Sequence, residues 1–183
     1  MILKRKVAVI IAFCGVLTAV GGCSSSIGPL SEVDAGSTSC LPGDMDQNDE
    51  VAMPIGIYGL PKEADIQITG IEPVNPVNLV VHADDYRVIG EIVNGDHHLM
   101  AGRGEYPPIK PFRALWEAAA SPFDRRLTAD DLPVSVIAHI TPSSDADASL
   151  DGFDISYTNA GKNYTVRTTA ALLVPNGSCI DPT

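Results

Sequence analysis

Positive charge is scarce in this chain. Its 183 residues hold 12 Lys and Arg against 23 Asp and Glu, a formal net charge of −11. So acidic a chain is repelled by phosphate backbones and by anionic lipid head groups, which argues against nucleic-acid binding and against electrostatic docking on membranes. Aromatic residues are also few, at 5% with a single Trp. That is thin for a carbohydrate or peptide platform, so Tyr58, Tyr86, Tyr106, Trp116, Tyr157 and Tyr164 read mostly as core and hairpin packing. Catalytic templates are missing as well: there is no G-x-S-x-G elbow, no H-E-x-x-H, no S-x-x-K and no Gly-rich phosphate loop. Adjacent acids such as Asp84-Asp85 and Asp130-Asp131 more often mark turns or helix starts than an acid/base pair. Beyond the amino terminus no apolar run approaches the length that spans a bilayer.

What is present begins with the leader. Lys4, Arg5 and Lys6 precede an apolar run from Val7 to Val20, too short to cross a hydrocarbon core of ~30 Å as a helix, and they form the n- and h-regions of a signal peptide. The run closes on Val20-Gly21-Gly22-Cys23. This resembles the lipobox of bacterial prolipoproteins, in which an aliphatic residue and two small residues precede the cysteine at the cleavage site. The resemblance implies cleavage before Cys23, a diacylglyceryl thioether on its sulfur and an N-acyl chain, together enough for lasting membrane residence. No other cofactor is expected. Without Lys4, Arg5 and Lys6 the balance becomes 9 basic residues against 23 acidic ones, or −14.

The segmentation expected from composition is a signal peptide over 1–22, a flexible Ser/Gly-rich tether over 23–45 and a single domain over 46–183. Of the four cysteines, Cys14 leaves with the signal and Cys23 is the lipidation residue. Cys40 and Cys179 remain, and in an oxidising compartment they are expected to pair. A redox or metal-binding thiol pair would carry C-x-x-C spacing, which is absent. About sixteen residues between Cys23 and Cys40 would give a flexible stalk with a reach on the order of 20 Å.

Inside the domain the pattern is that of strands. From Asn163 to Val174, Tyr164, Val166, Thr168, Ala170, Leu172 and Val174 alternate on one face, predicting one long strand. Phe153, Ile155 and Tyr157 alternate before it, and Asn159-Ala160-Gly161-Lys162 supplies the turn of a β-hairpin. Val134–Ile140 and Asp65–Thr69 alternate too, the latter ending at Gly70, a bulge candidate. Weaker strands are read over Val51–Tyr58, where Pro54 suggests an edge, over Asn78–Ala83 and over Tyr86–Val93. Phe112, Leu115, Trp116 and Ala119 recur at helical spacing between Pro111 and Pro122, predicting one short helix near 111–121. Asp131 stands three residues after Thr128, a capping-box variant. Six to eight short strands with turns between them indicate a mostly β sandwich.

Gly152-Phe153-Asp154-Ile155-Ser156-Tyr157, followed by Gly161, Tyr164 and Cys179, resembles the closing hairpin of immunoglobulin-like domains in uncharacterised actinobacterial surface lipoproteins. The resemblance covers about a fifth of the mature chain and implies an Ig-like sandwich; fold alone transfers no activity. Cys40 and Cys179 depart from the Ig pattern by standing at the domain ends, and Trp116 departs from it by falling on the helix.

Two segments carry ligand-type residues. Asp44-Met45-Asp46-Gln47-Asn48-Asp49-Glu50 spaces oxygens like a calcium loop, but Asp49 and Ile55 occupy the positions that need Gly and a bidentate acid. Asp96-His97-His98-Leu99-Met100 offers His97, His98 and Met100 to copper or zinc, although on a strand the two imidazoles would point to opposite faces. His82 and His139 could join such a cluster only if folding brought them there. The leading expectation is an extracytoplasmic, lipid-anchored, non-catalytic module that binds or supports an envelope protein or glycan. A metal-binding lipoprotein stands second and an unrecognised hydrolase third.

Overall fold

A computed structural model describes residues 28–33, 38–41, 49–90, 102–103, 106 and 113–179. Cys23, His97, His98 and Met100 lie outside the described residues, as does most of the Asp44–Glu50 segment. The architecture is mostly β and sandwich-like, with three sheets and one short helix.

The largest sheet is built on two nine-residue strands, β3 (Val51–Gly59) and β9 (Val134–Pro142), which pair antiparallel from Val51↔Ile140 to Ile57↔Val134. On the far side of β3 lie β1 (Glu32–Val33) and β7 (Gly102–Arg103); on the far side of β9 lie β5 (Leu79–Val81) and β6 (Arg87–Gly90). β1 reaches Ile57 and Gly59 while β7 reaches Val51 and Ala52. Among the described residues nothing pairs with β3 between them, which is where Pro54 sits. The edge character that proline requires is thus local to a strand central elsewhere.

A four-stranded sheet runs β12 (Lys162–Arg167), β11 (Gly152–Asn159), β4 (Asp65–Val74), β8 (Arg126–Thr128). The β11–β12 hairpin pairs Asn159 with Lys162 and turns on Ala160 and Gly161, with φ of 49° and 76°. Two successive positive φ values are what a two-residue hairpin turn demands. The β11–β4 register slips where Ser156 faces Gly70 and Tyr157 faces Ile68, which places the expected bulge at Gly70.

A third sheet holds β10 (Ala148–Leu150), β13 (Ala171–Val174) and β2 (Thr38–Cys40), with β2 parallel to β13. Here the expected long strand over 163–174 is corrected: it breaks after Arg167, and its second half joins this other sheet. Thr168 makes the crossing. Its amide donates to the Phe153 carbonyl at 2.8 Å and its Oγ1 accepts the Phe153 amide at 3.0 Å, so pairing with β11 ends on a side chain. Thr168 and Ala170 are both buried, so the inward alternation persists while the partner strand changes.

Inward side chains of β3, β4, β9 and β11, among them Ile55, Val136, Ile66, Ile155 and Phe153, form one core. Leu30 and Leu41 belong to it. Residues 28–33 and 38–41, which composition assigned to a tether over 23–45, are built into the fold. A single buried Leu contributes about 1.5–3 kcal/mol, enough to dock an otherwise polar stretch. Cys40 and Cys179 are bonded, with Cα atoms 5.9 Å apart and a separation of 139 positions in sequence.

The helix α1 (Arg113–Ala118) occupies the expected place but only six residues of it. Strands number thirteen among the described residues, more than the six to eight expected, because several two- and three-residue segments pair only at sheet margins. A 3-10 turn (Ala129–Asp131) follows β8; there the Thr128 amide and hydroxyl both donate to Asp131 Oδ2 at 2.8 Å, realising the capping-box variant.

Candidate functional site

β9 is buried along both faces, and on its outer face lies His139. Its imidazole is the middle ring of a three-ring stack. Tyr106 covers one side, with centroids 3.7 Å apart and planes 8° apart; His82 covers the other at 4.2 Å and 22°. Trp116 from α1 packs edge-on against Tyr106 at 5.0 Å. His82 is placed by the end of β5: its amide donates to the His139 carbonyl at 3.0 Å, and its Nε2 lies 3.1 Å from Thr141 Oγ1.

Two carboxylates flank the central ring. His139 Nδ1 is 3.3 Å from Asp85 Oδ2, and His139 Nε2 is 3.6 Å from Glu50 Oε1. Asp85 also faces Arg87 at 3.4 Å, and the Tyr106 hydroxyl donates to the Asp85 main-chain carbonyl at 3.1 Å. Burial pushes the His139 pKa below its ordinary value, the positive charge of a protonated His82 pushes the same way, and the two carboxylates oppose both. The net shift favours the neutral imidazole, and Nδ1 is the nitrogen that faces Asp85. Burial, reinforced by Asp85, drives the Tyr106 phenol upward, so it stays protonated.

An Asp–His pair of this kind is the orienting half of a base dyad, but a base needs an open nitrogen within hydrogen-bond reach of a substrate. Nε2 is buried without a hydrogen-bond partner and points at Glu50. The arrangement packs three rings and sets a carboxylate beside each nitrogen of the central imidazole. Among the described residues no group of three or more His, Cys, Asp and Glu is disposed to hold a metal.

A second feature is open. Beside the disulfide, a cleft of about 640 Å³ lies between β2, β13 and the segment leading into β5. Its walls include Thr38, Cys40, Val77, Leu173 and Cys179. Val77 and Leu173 are 50% and 44% exposed, large apolar side chains left facing solvent. The walls are fixed: Val77 and Ser149 exchange backbone hydrogen bonds of 2.9 and 3.0 Å, and Asp147 accepts the Asn176 amide at 2.6 Å on its carboxylate and the Asn78 side-chain amide at 2.8 Å on its carbonyl. A preformed, largely apolar concavity with a few polar groups is the usual form of a binding site.

The ring stack gathers Glu50, His82, Asp85, Tyr106 and His139, residues that no single sequence motif links. Of the proposed site residues the structure brings together Cys40 and Cys179; His97, His98, Met100 and Cys23 lie outside the described residues. No signal in the sequence marked the cleft, because Val77 and Leu173 look like ordinary strand residues. Comparison with family models, with curated proteins and with solved structures yields no match. The class that fold and site define is a disulfide-closed, mostly β sandwich with an apolar cleft. No helix among the described residues is long and apolar enough to cross a membrane.

Proposed function

We propose that the protein is a lipid-anchored extracytoplasmic lipoprotein whose sandwich is a non-catalytic binding module, with an envelope protein seated in the cleft beside the disulfide. The cleft carries this reading: Val77 and Leu173 present apolar surface that the fold leaves uncovered, on walls already held in place. The lipobox at Val20–Cys23 supplies the anchor, and a disulfide-linked Cys40 and Cys179 suit an oxidising compartment outside the cytoplasm. The absence of catalytic templates from the sequence supports a module that binds rather than one that turns over substrate.

The test is cross-linking in intact envelope followed by purification, comparing wild type with Leu173→Glu. A partner cross-linked by the wild type and lost from the correctly folded variant is expected. An unchanged set of cross-links removes the cleft from the reading, and turnover in a screen of envelope hydrolase substrates removes its non-catalytic part.

A further inference from the structure

We infer that the domain stands on the membrane with one defined end down, the end formed by the β3–β4 turn and the tip of the β11–β12 hairpin, and with the disulfide cleft turned away from the lipid. The inference rests on the lipoprotein reading and extends it from attachment to orientation.

The described chain enters the fold at Gly28, its first residue. A Cβ added there would fall on the Tyr157 hydroxyl, and that hydroxyl accepts the Leu30 amide at 3.2 Å, with Leu30 itself only 2% exposed. Tyr157 stands two residues before Asn159 at the hairpin tip, and Asn159 Oδ1 accepts the amide of Asp65, the first residue of β4, at 3.2 Å. The take-up point, the hairpin tip and the β3–β4 turn thus share one end of the sandwich.

The cleft is at the other end. The Asp151 amide donates to Val74, the last residue of β4, at 3.0 Å, and Ser149 bridges Val77 in the cleft wall. From Cys23 to Gly28 there are five residue steps, so the covalent reach is at most about 17 Å. A nine-residue strand such as β3 alone runs about 30 Å. A lipid on Cys23 therefore holds the Gly28 end against the bilayer and leaves the cleft end beyond the tether's reach, unless the sandwich lies down.

Charge opposes lying down. The loop between β9 and β11 exposes Asp145, Asp147 and Asp151 and contains no Lys or Arg, so anionic head groups repel it. The take-up end exposes Lys62 and Lys162 on its two turns beside the exposed acids Glu32, Glu63 and Asp65, the last paired with Arg126, so its charge is mixed where that of the cleft-end segment is acidic alone.

The experiment compares full-length acylated protein on vesicles of phosphatidylglycerol and phosphatidylethanolamine with acyl-free protein in solution. A bulky, membrane-impermeant amine reagent reads Lys62 and Lys162, and an Ala146→Lys reporter reads the cleft end. Several-fold slower labelling of Lys62 and Lys162 on vesicles is expected, with the reporter unchanged. Inserting a Gly/Ser segment longer than the domain between Cys23 and Gly28 should relieve the slowing while membrane association persists. Equal slowing at both ends, or slowing of the reporter alone, in protein whose Cys23 carries lipid by mass spectrometry overturns the orientation and leaves the lipoprotein reading standing. An unmodified Cys23 in envelope-derived protein overturns both.

Discussion

His139 lies face to face with Tyr106, ring centroids 3.7 Å apart, and the nitrogen it turns away from Asp85 ends 3.6 Å from Glu50 without a hydrogen bond. A neutral imidazole there faces a carboxylate across that gap. Burial resists the proton that would bridge them.

The pH dependence follows from that opposition. The folded pKa of His139 is depressed below about 6.5, so the unfolded chain takes up this proton first as pH falls. The stabilisation is complete above pH of about 6.5 and is lost as pH drops from there toward the folded pKa. Thermal unfolding recorded between pH 8 and 5 should show Tm declining through the acidic half of that range, and His139→Gln should flatten the decline. A wild-type Tm independent of pH across the range would sink the assignment. Asp131 and Asp154 are also depressed, through hydrogen bonds from Thr128 and Arg167 respectively, and their contribution is lost only below the usual carboxylate range.

Thr168→Val removes the oxygen that accepts the Phe153 amide while keeping shape and burial. A buried donor left without a partner costs about 1–3 kcal/mol. Urea unfolding should give a loss of that size for Thr168→Val and a smaller one for Thr168→Ser, which retains the acceptor. Equal losses would mean that packing, not the hydrogen bond, decides the strand crossing.

Reducing the disulfide, or replacing both cysteines by Ser, should lower stability by about 2–5 kcal/mol, since the bridge closes a loop of 139 residues in the unfolded chain. Equilibrium unfolding of the oxidised and reduced proteins measures it. The loss should be greatest for β2, whose three residues have only β13 as a described partner, and hydrogen exchange should show its amides opening first. Unchanged exchange at Ser39 and Cys40 after reduction would contradict this.

The sequence made some of this plain and concealed the rest for identifiable reasons. The Ala160-Gly161 turn and the Gly70 bulge were legible because glycine, and residues at positive φ, report local backbone geometry. The Thr168 crossing was not, because an inward alternation continues unbroken when a strand leaves one sheet for another. Leu30 and Leu41 were hidden in a stretch whose Ser, Gly and Pro content reads as linker, where one or two apolar residues decide docking. Glu50, the His82–Asp85 turn, Tyr106 and His139 come from four separate places in the chain, and the pairing of β9 with both β3 and β5, together with the return of the chain at Tyr106, brings them together.

The parallel pairing of β2 with β13, locked where Cys40 meets Cys179, has a mechanical meaning. In the proposed arrangement a partner pulls at the cleft and the lipid pulls at Cys23. The force path between them leaves the anchor, passes the short segment around Leu30 and arrives at Cys40, beside the cleft. The 139-residue loop that holds the sandwich core hangs outside that path as a closed ring. Tension across the protein would strip the docked segment before Cys40 and then stop at a covalent bond, leaving the cleft-bearing body intact and its leash longer.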